Sequence, residues 1–157
     1  MHVLRPFHPG PPPASGCADN APCEITYFGG PVFEAVPNIY IIYYGNWTAR
    51  DKSIIDNFFA HLGGTPMARI NTVYGDNNNK YVPDGVNYDP AKNSYHDNYS
   101  LGKSVADAQI QQIVANAISG GHFPADTSGI YFVLTYTDVV DTEGECWDFC
   151  GYHGPST

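Results

Sequence analysis

The chain has 157 residues, with 16 Asp and Glu against 7 Lys and Arg, a formal charge of −9. That length suits one domain with a core of its own, and charged residues make up only 15% of it, where about 25% is ordinary. The few basic residues are scattered, which excludes nucleic acid and anionic membrane surfaces as partners because both demand clustered Lys and Arg, and no apolar run approaches the ~20 residues of a membrane span.

Residues 1–23 read as a Pro-rich, disordered leader that lacks the apolar core of a secretory signal. The folded domain is expected over 24–157. Glu24 to Phe33 is β-prone but broken by Gly29-Gly30-Pro31, so it is at best a short edge strand. Asn38 to Tyr44 (NIYIIYY) is a continuous apolar and aromatic run, the pattern of a parallel strand covered on both faces. Thr48 to Leu62 is predicted as a helix: Thr48 is the cap, Asp51 lies three residues on, and Gly63 stands at the left-handed stop. Its apolar stripe is Ile54, Ile55, Phe58, Phe59 and Leu62.

Ala68 to Tyr74 shows partial alternation and is predicted as the next strand. Residues 75–103 carry Asn, Asp, Tyr, Gly and Pro without periodicity and read as a long polar loop, a feature usually functional or disordered. A second helix is predicted from the cap Ser104, with Asp107 three residues on, a stripe of Ile110, Ile113, Val114, Ala117 and Ile118, and a stop at Gly120-Gly121. Gly129 to Val139 is the strongest strand. The order strand-helix-strand-helix-strand predicts an α/β fold with a largely parallel sheet. With no closing element after the Cys-rich turn, the chain reads as an incomplete domain, marginal or aggregation-prone alone because edges and apolar faces would lie uncovered.

The four cysteines form two close pairs, Cys17 with Cys23 and Cys146 with Cys150, which makes all four disulfide candidates. Cys146, Cys150 and His153 could ligate a metal, but a closed zinc site takes four ligands, so a disulfide is the preferred reading and no metal or cofactor is assigned. Asn46-Trp47-Thr48 and Asn98-Tyr99-Ser100 are glycosylation sequons. Asp138, at the end of the strongest strand, is a lone carboxylate where glycosidase chemistry uses a pair. No catalytic residue is therefore assigned. Asp76, Asp84, Asp89 and Asp97 crowd the polar loop without the ordered oxygen set of a calcium site. In the same loop Tyr81, Tyr88, Tyr95 and Tyr99 stand among amides and carboxylates, able to stack on and hydrogen-bond to sugar rings.

Several segments, taken in order, carry a resemblance. They are Gly29-Gly30-Pro31-Val32, Ile42-Tyr43-Tyr44-Gly45-Asn46-Trp47, Lys52-Ser53-Ile54-Ile55, Tyr99 to Ser104 (YSLGKS), Val133-Leu134-Thr135, Asp138-Val139 and Cys146-x3-Cys150-Gly151-x-His153-Gly154. From about Tyr27 to Gly154 the chain resembles the plant phosphate-induced protein 1 and EXORDIUM-like family. The resemblance implies an extracellular, cell-wall-associated protein linked to growth and nutrient response. It implies no settled catalysis, and a wall polysaccharide or an extracellular protein as partner. It also implies that these residues are the N-terminal half of a longer domain. Two alternatives accompany it. One is a zincin-like metallopeptidase whose metal-binding helix lies beyond residue 157; the other is a glycan-binding module using loop 75–103.

Overall fold

The structure is a computed structural model and describes residues 2–4, 32–142 and 151–155. The disulfide candidates Cys17, Cys23, Cys146 and Cys150 all lie outside the described residues, as does the β-prone run up to Pro31. Within the expected leader, β1 (His2–Leu4) is described and forms a short antiparallel pair with β7 (His153–Pro155).

The fold is α/β, built on three parallel strands. β2 (Asn38–Tyr44) is central, and β3 (Ser94–Asp97) and β5 (Gly129–Thr135) flank it. Every residue of β2 after Asn38 is buried, as its unbroken apolar run requires. Because side chains alternate along a strand, Ile39, Ile41 and Tyr43 enter one cluster while Tyr40, Ile42 and Tyr44 enter another. The first packs beneath Ile55 and Phe59 of α1 (Ala49–Ala60); the second packs beneath Ile110, Ile113, Val114 and Ala117 of α4 (Asp107–Ser119). The result is a sheet between two helical layers.

Thr48 caps α1 as predicted: its Oγ1 accepts the Asp51 N–H at 3.1 Å and donates to Asp51 Oδ2 at 2.7 Å. The stop differs. The helix closes at His61, and the left-handed glycine is Gly64 (φ +75°), not Gly63. Nor does the whole predicted stripe face inward. Ile54 and Phe58 are 60% and 46% exposed, since five apolar residues span more of the helix than one flat sheet can cover.

Residues 68–74 are not a strand. They form α2 (Pro66–Arg69) and a 3-10 turn, Ile70–Val73. Thr65 Oγ1 caps Ala68 N–H at 3.2 Å and Pro66 opens the helix, a start that suits proline because its missing donor is not needed there. The long polar loop is likewise structured. Asp76 Oδ1 accepts the N–H groups of Asn78 and Lys80 in a turn closed by the Gly75–Tyr81 bridge. Asp89 caps α3 (Pro90–Asn93), which leads directly into β3. The second sheet strand is thus Ser94–Asp97, and its register with β2 runs from Ile41↔Ser94 to Tyr44↔Asp97.

Ser104 is not the cap of the second helix. It belongs to β4 (Ser104–Val105), which pairs in parallel with β6 (Val140–Asp141). Helix α4 starts later, with its cap at Ala106, whose N–H donates to Gln109 Oε1 at 3.0 Å. The strongest predicted strand ends at Thr135 rather than Val139, because residues 136–139 turn the chain, with Val139 N–H donating to Tyr136 O.

Candidate functional site at the carboxyl edge of the sheet

Parallel strands all end on one edge of the sheet. Here the chain leaving β2 crosses to β3 on one side, while β5 lies on the other. The carboxyl ends of β2 and β5 therefore flank the kind of crevice where open α/β sheets bind ligands. Three segments converge there: Gly45-Asn46-Trp47, Asn98-Tyr99-Ser100 and Tyr136-Thr137-Asp138.

Gly45 makes the convergence possible. Its φ is +109°, and a Cβ added to it would lie 2.8 Å from Tyr136 Cβ. Gly45 N–H donates to Asp97 O at 2.9 Å, and its carbonyl lies 2.6 Å from His96 Nε2. That contact makes Nε2 the protonated ring nitrogen. The Trp47 indole N–H reaches Leu134 O at 3.0 Å, and its ring meets Tyr43 and Tyr136 edge-on, each at 5.4 Å.

The β3–β4 loop is fixed from beneath. Buried Asp97 accepts the N–H and hydroxyl of Ser100 at 2.7 and 2.6 Å. The Tyr44 hydroxyl donates to Gly102 O at 2.6 Å and accepts the Leu101 N–H at 3.0 Å. Tyr99, at the apex, is held at φ +58°, a conformation uncommon outside glycine. Its hydroxyl donates to Asp138 Oδ2 at 2.8 Å, while Lys103 Nζ lies 2.6 Å from the same oxygen and 4.7 Å over the Tyr99 ring. Lys103 and then Tyr99 hold the Asp138 carboxyl below the usual carboxylate range, and Asp138 in turn raises Lys103. Burial, followed by Asp138, raises the Tyr99 phenol. Asp138 is therefore a held carboxylate, suited to accepting hydrogen bonds from hydroxyl groups. It is unlike a general acid, whose pKa must rise.

The structure brings together residues drawn from three separate sequence readings: the sequon residues Asn46 and Asn98, the glycan candidate Tyr99 and the lone carboxylate Asp138. Both sequon asparagines are exposed on this edge, while Thr48 is engaged in the α1 cap and Ser100 on Asp97. The other three tyrosines lie elsewhere. Tyr88 packs on Phe59 and donates to Asp56 in the α1 layer, together with the Tyr43 hydroxyl at 2.6 Å. Tyr95 stacks on His122 at 3.7 Å in the α4 layer, and Tyr81 is exposed on the 75–81 turn. Asp76, Asp84 and Asp89 serve a turn, Arg69 and a helix cap respectively. Among the described residues no three His, Cys, Asp or Glu side chains are grouped to hold a metal. His153 lies in β7, and its sequence companions Cys146 and Cys150 fall outside the described residues, as do Cys17 and Cys23.

Gly45, Trp47, Lys103 and Tyr136 are additions that the sequence reading missed. The available signal was position, directly after predicted parallel strands. A concavity of about 630 Å³ lies between α4 and the 125–127 loop, at the opposite end of β5. Several of its polar groups are engaged with neighbours: Gln111 with Asp107, Gln112 with Asn116, and Asp126 with Asn38, Tyr40 and the Ser128 N–H.

Residues 25–157 match the family described as the Phosphate-induced protein 1 conserved region. Three Arabidopsis thaliana proteins are similar to the chain. Protein EXORDIUM-like 5 is 31% identical over 83% of this chain and 38% of its own length. Protein EXORDIUM-like 3 is 26% identical over 83% and 41%, and Protein EXORDIUM-like 2 is 25% identical over 91% and 46%. The chain spans less than half the length of each. No solved structure matches it. By the extent of the family match, and by its likeness to these relatives, the chain belongs to the phosphate-induced protein 1 family of EXORDIUM-like proteins.

Proposed function

We propose that this EXORDIUM-like chain works outside the cell, in contact with wall polysaccharide, as a binding protein rather than a catalyst. The carboxyl edge carries this reading. Half-buried Trp47, Tyr99 and Tyr136 stand there beside exposed Asn46, Asn98, Lys103 and Asp138. Aromatic bodies with polar tips, flanked by amides and a held carboxylate, are what a sugar ring with many hydroxyls can meet. The uncharged-polar composition and the family resemblance point to the same setting. The contact surface in this reading is the edge, with Tyr99 as the member of loop 75–103 that contributes. The metallopeptidase reading depends on a segment beyond residue 157, and no observation on these residues favours it.

Sedimentation with insoluble wall polysaccharides tests the proposal. The unsubstituted chain is expected to pellet with at least one polysaccharide. Asp138→Ala combined with Asn46→Ala should lower the bound fraction severalfold, whereas Tyr81→Ala on the distant turn should leave it unchanged. Equal retention of the edge variant and the parent would overturn the assignment.

A further inference from the structure

The α1 side of the sheet is covered thinly. No residue of α1 is buried, although Ile39, Ile41 and Tyr43 beneath it are. Beside the last turn of α1, over Ile39, lies a cavity of about 340 Å³. Its floor is the sheet face at Ile39, Ile130 and Phe132, and its walls include Phe59 from the last turn of α1 and Leu62 just beyond the helix. The 3-10 turn, the 82–86 loop, Phe33, Pro37 and Ala68 also line it, and among the described residues no Lys, Arg, Asp or Glu does. Among the described lining residues Asn71 is the one side-chain amide, and Tyr74 also lines the cavity.

Close-packed interiors leave few voids larger than a water molecule, and small-molecule sites begin at about 300 Å³. This space belongs to the second class. An uncharged lining rejects a buried ion, which would lose its hydration without a partner. A recess of this volume with a largely apolar lining fits the body of a compact molecule. We infer that this cavity binds a neutral, apolar small molecule with a single hydrogen-bonding end, its body over Phe132 and Ile130 and its polar end towards Asn71. The site is independent of the carboxyl edge and of the polysaccharide reading.

Titration of the full chain with N-phenyl-1-naphthylamine, a neutral apolar fluorophore, tests this. Fluorescence is expected to saturate at one probe per chain, and decan-1-ol is expected to displace it. Ala68→Phe and Val82→Phe, which fill the cavity, should weaken binding by about tenfold or more; Ala115→Phe, in the α4 concavity, should not. No saturable signal would overturn the inference, as would unchanged affinity in a folded filler variant. So would a concentration-dependent dimer that excludes the probe, since the occupant would then be a second copy. Should both filler variants fail to fold, a rise in the parent's melting temperature with decan-1-ol decides for the site, and no rise decides against it.

Discussion

Gly45 answers two demands at once, a left-handed φ and contact with Tyr136 at a distance no Cβ allows. Gly45→Ala should therefore cost about 2–4 kcal/mol, the left-handed penalty and overpacking together. A lower urea midpoint at unchanged slope would register it; an unmoved midpoint would show that the two strand ends are not locked here. The buried phenols give a second test at this scale. Desolvation, then the Asp126 hydrogen bond, pushes Tyr40 up to about 12. Desolvation is also the leading cause that raises Tyr43, Tyr44, Tyr88 and Tyr131. In the unfolded chain a phenol ionises near its ordinary value of about 10. The folded state thus holds these protons more tightly, and the stability that the Tyr40 proton contributes is full below pH 10 and is lost as pH rises through 12. Absorbance near 295 nm and circular dichroism should change together in that window. Full phenolate formation with an intact dichroism spectrum would contradict it.

At the scale of elements, the two helices differ in how they begin. Thr48→Ala removes a side-chain cap and should cost about 1 kcal/mol, whereas Ala106→Ser supplies α4 with a cap it lacks and should stabilise by several tenths to about 1 kcal/mol. Opposite shifts in melting temperature are the expected readout, and a loss in Ala106→Ser would mean the serine cannot reach the first turn. Both helices were legible because 3.6-residue periodicity is local, and for α1 the Thr48 cap was legible too, whereas the start of α4 was misplaced at Ser104. Residues 68–74 mislead locally: Thr65-Pro66, like Asp89-Pro90, is a readable helix start, but the partial alternation that follows it imitates a strand. Strand β3 was not legible. Ser94-Tyr95-His96-Asp97 has little β propensity of its own, and its pairing with β2, aided by the Asn93 amide on Ile39 O, makes it a strand. The candidate site divides in the same way. Asn46, Tyr99 and Asp138 were each visible as residue types, but their convergence depends on the order β3-β2-β5, which no local pattern carries.

Across the whole molecule, net charge and exposed apolar surface oppose each other. Met67, Ile70 and Val73 recur at three-residue spacing along α2 and the 3-10 turn and are 61%, 65% and 70% exposed. Such a stripe favours association. A formal charge of −9 on 157 residues resists it through mutual repulsion between copies. Salt shortens the range of that repulsion, from about 10 Å at 0.1 M to about 3 Å at 1 M, and leaves apolar contact intact. Self-association should therefore grow with sodium chloride, and light scattering at fixed protein concentration should show it. The triple variant Met67→Gln, Ile70→Thr, Val73→Thr should suppress that growth. Its melting temperature should move little, because exposed substitutions usually cost within about 0.5 kcal/mol each. If the variant associates like the parent, the stripe is not the contact, and an apolar surface elsewhere on the chain, such as Ile54 and Phe58 on α1, becomes the next to substitute.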